Sequence, residues 1–129
     1  MELRVIPPLG SGTTNEEGLS VLCTVDDFDV LITGDADSYV EHMIVKYFVI
    51  PNIELLMVGH HGSADSTSME LLGWARPELG IISVGEGNSY GHPDQETLER
   101  LHRSGVEVHR TDLEGTVTVV VQGENVGIW

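Results

Sequence analysis

The chain of 129 residues has few basic residues and only one cysteine. Lys and Arg number 6 against 21 Asp and Glu, so the formal net charge is −15 and there is no basic patch for nonspecific nucleic-acid binding. A lone cysteine, Cys23, excludes an intrachain disulfide and is typical of a small buried apolar residue. No apolar run approaches the roughly 20 residues that span a bilayer, and residues 1–4 do not begin a signal peptide. We therefore expect a soluble chain without a membrane segment.

The composition is otherwise that of an ordinary globular protein. Apolar residues make up 40% of the chain and charged residues 21%, and this length can bury one modest core. There are no internal repeats, low-complexity tracts or linkers. We expect residues 1–129 to form a single domain.

The hydrophobic pattern predicts the element order ββ-α-β-α-β-α-ββ. Residues 7–15 are rich in turn formers and predict a loop. Capping-box spacings at Ser38 and Glu41, and again at Thr67 and Glu70, mark two helix starts. The predicted strands are 19–25, 28–33, 53–58, 79–84, 106–110 and 116–121, and the predicted helices are 38–49, a short one after 67, and 94–103.

This order is typical of an α/β sheet, and it leaves one face of that sheet uncovered. Strands 53–58 and 79–84 are almost continuously apolar, which indicates burial on both faces. Three helices can cover one face. Because no second sheet long enough to cover the other is predicted, we expect an exposed apolar face and a missing partner layer.

Residues capable of chemistry follow three successive strands, and in α/β sheets ligands bind where strands end. Single residues leave alternatives open: Asp35 could be a turn residue, and His92 could begin the next helix as its N-cap. Two adjacent histidines after a buried strand favour a site in which one binds a metal ion and the other supports it. We assign no role to His42, His102 and His109. The strand-end residues are Asp35, His60, His61, Asn88, Tyr90 and His92.

Five motifs, in this order, resemble the metallo-β-lactamase domain of ComEC-type competence proteins, and Asn15 with the segment 19–22 resembles the stretch before them. The match covers nearly the whole chain. The motifs are Leu31-Ile32-Thr33-Gly34-Asp35-Ala36, Val58-Gly59-His60-His61-Gly62-Ser63, Ile82-Ser83-Val84-Gly85, Asn88-Ser89-Tyr90-Gly91-His92-Pro93 and Arg110-Thr111-Asp112 with Gly115.

The resemblance implies half of an αββα sandwich, a mixed sheet with helices on one face, and a site for one or two Zn²⁺ or Mn²⁺ ions. Asp35 would bridge two metals, and His60 or His61 would be the last histidine ligand. We favour His61, which directly precedes Gly62, and expect Asp35 and His61 to be catalytic. Substrate contacts would come from Ser63, Asn88, Tyr90 and His92.

The chain departs from the family because the His-x-His-x-Asp-His motif of the N-terminal half is absent. Three hypotheses follow. In the first, the chain is the C-terminal part of a metal-dependent nuclease or phosphodiesterase used in DNA uptake and is inactive alone. In the second, it is a non-catalytic interaction or folding module, with the possibility that it binds no metal. In the third, it is half of a small-molecule phosphoesterase or lactonase.

The resemblance and the open sheet face also predict partners. They are the missing N-terminal half-domain, or a second copy of this chain through the exposed face. DNA as a partner rests on the resemblance alone. By the same resemblance, the chain would be a soluble domain of a bacterial membrane-associated competence protein.

Overall fold

The computed structural model describes residues 1–9 and 18–129 of the chain. The predicted loop at 7–15 and the resemblance at Asn15 therefore fall mostly outside the described residues. Eight strands, four α-helices and a short 3-10 segment at Gly59–Gly62 are described. The strands are β1 (Glu2–Ile6), β2 (Ser20–Val25), β3 (Phe28–Ile32), β4 (Leu55–Met57), β5 (Leu79–Ile82), β6 (Glu107–Arg110), β7 (Val119–Gln122) and β8 (Asn125–Ile128), and the helices are α1 (Ser38–Tyr47), α2 (Met69–Ala75), α3 (Gln95–Arg103) and α4 (Thr111–Glu114).

A six-stranded mixed sheet with the order β1-β2-β3-β4-β5-β6 forms the centre of the molecule. β1, β2 and β3 pair antiparallel, whereas β3 to β6 are all parallel to one another. The α/β class predicted from the sequence is therefore observed. Because β3, β4 and β5 are parallel, the loops that follow them leave from the same edge of the sheet.

The helices pack on one face of this sheet, as predicted. Leu31, Leu56 and Ile82 from three strands are buried together with Leu71 of α2 and Leu101 of α3. A second cluster joins β1 to α1 through apolar side chains, namely Ile6, Val40 and Ile44. This face is the main core of the described chain.

Both predicted capping boxes are wrong by one residue. α1 is capped by Asp37, whose side chain accepts from the Val40 N–H at 3.0 Å. α2 is capped by Ser68, whose hydroxyl accepts from the Leu71 N–H at 3.2 Å. Both Asp and Ser are good N-cap residues, so several polar residues in a row made the cap position ambiguous. Trp74 on α2 is 63% exposed.

The opposite face is partly covered, which corrects the prediction that no second layer exists. β7 and β8 form a two-stranded antiparallel hairpin. Side chains of its first strand and the residues before it, Val117, Val119 and Val121, pack on Phe28, Leu55 and Ile81 of the large sheet. Phe28, Leu55 and Ile81 are all buried as a result.

The part of this face formed by β1, β2 and β3 carries exposed apolar residues. Pairing places Leu3 beside Cys23 and Val30, and Val5 beside Val21 and Ile32, across the three strands. Leu3, Val5 and Ile32 are 59%, 56% and 39% exposed. The prediction of an open apolar face holds for this half of the sheet only. None of the helices within the described ranges is long and apolar enough to cross a membrane.

Candidate functional site

The loops after β3, β4 and β5 meet at the carboxyl edge of the parallel strands. The His60 N–H donates to the carbonyl of Gly34 at 2.9 Å, which ties the loop after β4 to the loop that carries Asp35. On the other side, the His61 ring reaches the Ser83 carbonyl after β5. Three strand ends thus form one continuous polar edge, which is where α/β sheets bind ligands.

The backbone of the two adjacent histidines is strained. His60 has φ 47° and ψ 44°, and His61 has φ 56° and ψ 24°, so both lie in the left-handed region. A residue with a side chain pays of order 1–3 kcal/mol for such a conformation, and strain of this kind concentrates at functional sites. Two consecutive strained histidines are therefore the strongest backbone signal of a site in the described chain.

Gly62 follows the two histidines and lies against the next loop. Its φ of 84° is left-handed, and a Cβ built on it would lie 2.5 Å from the Cβ of Pro93. The Gly62 carbonyl accepts from the Asp94 N–H at 2.9 Å. Glycine at this position lets the histidine loop pack directly on the residues that begin α3.

The ring of His61 has a defined orientation. Its Nδ1 lies 2.6 Å from the Ser83 carbonyl oxygen. Since a carbonyl only accepts, Nδ1 carries the proton in this contact and the neutral ring has its lone pair on Nε2. A backbone carbonyl behind Nδ1 is the usual support of a metal-binding histidine, so the geometry suits His61 as a ligand through Nε2.

His60 is more enclosed and is held less firmly. Its Nδ1 is buried and has no hydrogen-bond partner among the described residues, and Asp65 Oδ1 is 3.6 Å away, beyond hydrogen-bonding distance. The Ser63 hydroxyl donates to Asp65 at 2.6 Å. This hydrogen bond, and secondarily the charge of His60 when protonated, lowers the pKa of the Asp65 carboxyl.

A cavity of about 170 Å³ opens beside His61. The ring of Tyr90 is 82% exposed and stacks on His92 with ring centroids 5.9 Å apart and an interplanar angle of 11°. His60 is also close, with its ring centroid 6.0 Å from that of His92. The cavity is lined by His61, Val84, Gly85, Asn88, Tyr90 and His92.

Asn88 lies in the cavity wall and also holds its own loop together. Its amide nitrogen donates to the carbonyls of Gly85 and His92 at 3.1 and 2.7 Å. Its amide oxygen accepts from the His92 N–H at 3.0 Å. Asn88 therefore fixes the backbone that presents Tyr90 and His92.

Four of the seven predicted site residues line the cavity, and the other three, His60, Ser63 and Asp35, are not part of its lining. His61, Asn88, Tyr90 and His92 line it. Ser63 is buried behind the histidines, with its hydroxyl directed to Asp65. Asp35 is exposed in the loop after β3, next to the Gly34 carbonyl that His60 contacts.

Sequence reasoning missed residues whose hydrogen bonds hold the loop after β5 in place. The Thr111 hydroxyl accepts from the Val84 N–H and donates to the Val84 carbonyl, each at 2.8 Å. It joins the start of α4 to the loop after β5. Thr111 belongs to one of the recognised motifs, Arg110-Thr111-Asp112, but a hydroxyl that binds backbone has no signal in a single sequence. The bidentate contact of Arg110 with Asp112 lowers the pKa of that carboxyl.

The described residues do not by themselves form a complete metal site. Within residues 1–9 and 18–129, no three side chains of His, Cys, Asp or Glu converge in a way that could hold a metal ion. A catalytic zinc site in a protein has three protein ligands. His61 is oriented as a ligand would be, but the remaining donors would have to come from elsewhere.

The fold and this edge define an α/β domain with a histidine-containing site at the ends of its parallel strands. No family model matches the chain. It is 36% identical over 121 residues, 92% of its length, to Recombination protein 2 of Haemophilus influenzae. It is also 42% identical over 89 residues to ComE operon protein 3 of Bacillus subtilis, and 37% identical over 89 residues to Competence protein ComA of Neisseria gonorrhoeae, matches that cover 67% and 68% of this chain.

These similarities relate the chain to competence proteins of the ComEC type, and this part of the resemblance is confirmed. The chain spans only 15%, 11% and 13% of the length of the three relatives.

Proposed function

We propose that the chain is the C-terminal part of a metal-dependent nuclease domain that serves DNA uptake, and that it is inactive by itself. Its fold would be half of a metallo-β-lactamase sandwich. The observation that carries the proposal is the orientation of His61. Its Nδ1 contacts the Ser83 carbonyl at 2.6 Å, which leaves Nε2 available at the edge where the other strand-end residues lie. The relation to competence proteins supports DNA as the substrate class.

Each predicted site residue has a place in this proposal. Asp35 and His61 would be metal ligands, and His60 would be a second histidine donor or the neighbour that shapes the loop. Tyr90 and His92, which line the cavity beside His61, would contact the substrate, while Asn88 holds their backbone. Ser63 would act indirectly, through its hydrogen bond to Asp65. The remaining ligands would come from the N-terminal half-domain, with Zn²⁺ or Mn²⁺ as the ion.

The charge of the chain makes a cation necessary for any contact with DNA. A net charge of −15 repels a phosphate backbone. A bound divalent cation would reverse the local sign at the site, as it does in other phosphate-binding sites. We therefore expect DNA binding to depend on the metal rather than on Lys and Arg.

Calorimetric titration with Mn²⁺ and Zn²⁺ of the metal-free chain, alone and mixed with the segment of the Bacillus subtilis relative that precedes the matched region, tests the ligand assignment. The site variant is Asp35→Ala with His61→Ala. The control carries Asp27→Ala and His102→Ala, which remove the same residue types from exposed positions outside the site. Binding that the site variant loses and the control keeps would support the proposal. Equal titration of all three proteins in the mixture would contradict it.

Reconstitution tests the nuclease assignment. The chain would be mixed with the segment of the Bacillus subtilis relative that precedes the matched region, and cleavage of single-stranded DNA would be measured with Mn²⁺. We expect cleavage by the mixture, none by either part, and none when the site variant replaces the chain. A small phosphodiester and a lactone, included as parallel substrates, would identify the alternative small-molecule hydrolase.

A second candidate function is a non-catalytic interaction or folding module. It is favoured by the absence of three converging metal donors in the described part of the chain and by the exposed apolar residues of β1 and β3. In that case the mixture would associate without cleaving any substrate. The reconstitution experiment separates the two functions.

A further inference from the structure

The N-cap of α3 and two residues within the helix hold the backbone of the histidine loop, residues 59–68. Asp94, Thr97 and Arg100 are spaced three apart and therefore lie along one side of the helix. The Asp94 carboxylate accepts from the Ala64 N–H at 2.7 Å. The Thr97 hydroxyl donates to the Ser63 carbonyl at 2.9 Å. This side of α3 thus binds the loop immediately after His60 and His61.

Arg100 makes the largest number of these contacts. Its guanidinium donates to the carbonyls of Thr67, Ala64 and Ser66 at 3.0, 2.9 and 2.9 Å. Its ion-pair neighbour, Glu96, is 3.9 Å away and 77% exposed. The guanidinium is therefore directed at the loop backbone and not at a carboxylate. The guanidinium reaches these carbonyls from two separate nitrogens, Nε and Nη2, whereas the three donors of a lysine ammonium share one nitrogen.

The loop needs such support because its conformation is unfavourable by itself. His60 and His61 both have left-handed backbone angles, which are unfavourable for residues with a side chain. Thr97 is fully buried, so water does not compete for its bond to Ser63. Without the side chains of α3, we expect the loop to relax and the His61 ring to lose its contact with Ser83.

We propose that Asp94, Thr97 and Arg100 are positioning residues that keep His60 and His61 in their strained conformation and so fix the orientation of the His61 ring. The proposal rests on the proposed function only in treating His61 as a ligand. The geometry that it explains, a proton on Nδ1 directed at the Ser83 carbonyl, can be measured without metal or substrate.

The experiment is nitrogen-15 NMR of the histidine rings in the metal-free chain at a pH where they are neutral. In the wild type, we expect His61 to carry its proton on Nδ1 and to exchange it slowly. Arg100→Lys should shift the ring towards a mixture of tautomers and speed the exchange of this proton about tenfold, because the loop opens more often. Arg103→Lys on the same helix, at an exposed position, should change neither.

A matched pair at position 97 keeps the test valid if Arg100→Lys does not fold. Thr97→Ser keeps the hydroxyl and should leave the His61 signals unchanged, whereas Thr97→Val removes it and should alter them. If Arg100→Lys and Thr97→Val lower only the melting temperature, and the folded protein keeps wild-type His61 signals, these residues are structural and the proposal is wrong. It is equally wrong if the wild-type ring carries its proton on Nε2.

Failure of this proposal is distinguishable from failure of the proposed function. Altered His61 signals in Arg100→Lys, in a chain that binds no metal even when mixed with the N-terminal segment, would support the positioning role and contradict the ligand role. Unaltered His61 signals in Arg100→Lys and Thr97→Val would contradict the positioning role. Mn²⁺ binding that Asp35→Ala with His61→Ala abolishes would still support the ligand role.

Discussion

Residue-scale strain is concentrated where three loops meet. His60, His61 and Gly62 have consecutive left-handed backbone angles, and Gly62 is the residue on which Pro93 rests. A left-handed backbone is energetically unfavourable for the histidines, whereas for glycine it is not. Gly62 is therefore the position where the fit between the loops can be tested by adding a single methyl group.

Gly62→Ala should destabilise the protein by about 2–4 kcal/mol, because a left-handed φ and a steric clash act together. The matched control is Gly87→Ala, where φ is 63° but a Cβ would meet no atom within 4 Å. That change should cost about 1 kcal/mol, from the backbone angle alone. Urea unfolding measures both. Equal losses would show that the contact with Pro93 is unimportant.

His109 on β6 is the second residue whose surroundings lead to a prediction. Its Nδ1 lies 2.9 Å from Glu114 and its Nε2 lies 3.0 Å from Glu107. These hydrogen bonds, with Glu114 first, raise the pKa of the imidazole. The sequence assigned no role to His109, because the pairing depends on α4, which was not predicted.

A raised pKa in the folded state means that protonation of His109 stabilises the fold. This contribution is complete below the unfolded pKa of about 6.5 and is lost as pH rises through the higher folded value. His109→Gln should therefore show a smaller fall in the free energy of unfolding between about pH 6 and pH 8 than the wild type. His102→Gln, at an exposed position on α3, is the control. Parallel pH profiles for wild type and His109→Gln would refute the assignment.

At the scale of elements, a buried carboxylate joins α1 to the start of α2. Glu41 is fully buried and accepts from the N–H groups of Thr67 and Ser68 at 2.5 and 2.9 Å. Burial raises the pKa of its carboxyl, and the hydrogen bonds to Ser68 and Thr67 oppose that effect. The sequence predicted Glu41 as the second member of a capping box for its own helix. It instead binds the N–H groups of Ser68, the N-cap of α2, and of Thr67 before it.

Glu41→Ala should destabilise the protein by about 3 kcal/mol, because two N–H groups would lose their acceptor in the interior. Glu99→Ala on the exposed side of α3 should change the stability by less than about 0.5 kcal/mol. Thermal unfolding of both variants at neutral pH provides the comparison. A loss for Glu41→Ala as small as that for Glu99→Ala would mean that water replaces the carboxylate.

The elements that the sequence predicted well are those with a strong period or a strong turn. α1, β4, β5 and α3 were all recognised from apolar runs and periodicity. β1 was missed because it is a short edge strand whose Leu3 and Val5 are exposed, so alternation carries no burial signal. β8 was missed because Gly127 interrupts it. In the site, the strand-end residues were predictable, but the contacts of Thr97, Arg100 and Thr111 are tertiary and follow from the packed structure alone.

At the scale of the whole molecule, the two faces of the large sheet differ in how they are covered. Helices cover most of one face, and the β7–β8 hairpin covers the other only over Phe28, Leu55 and Ile81. The uncovered part, formed by β1, β2 and β3, bears Leu3, Val5 and Ile32. Because burial of such a surface lowers the free energy, we expect two copies of the isolated chain to pair through it.

Net charge gives this self-association a distinctive salt dependence. Two chains of charge −15 repel each other, and salt screens that repulsion. Apolar burial is not weakened by salt, so the dimer should strengthen as ionic strength rises, opposite to a dimer held by ion pairs. Sedimentation equilibrium at about 0.05 and 0.5 M NaCl would measure the change.

Leu3→Ser with Val5→Ser identifies the surface involved, since both changes remove apolar area without altering the charge. This variant should be monomeric at both salt concentrations. Val49→Ser, an 84% exposed apolar residue after α1, should associate as the wild type does. A wild type that stays monomeric at micromolar concentrations and high salt would contradict pairing through this face. The open surface would then be the contact for the missing half-domain. In that case Leu3→Ser with Val5→Ser should have an effect only in the reconstitution mixture.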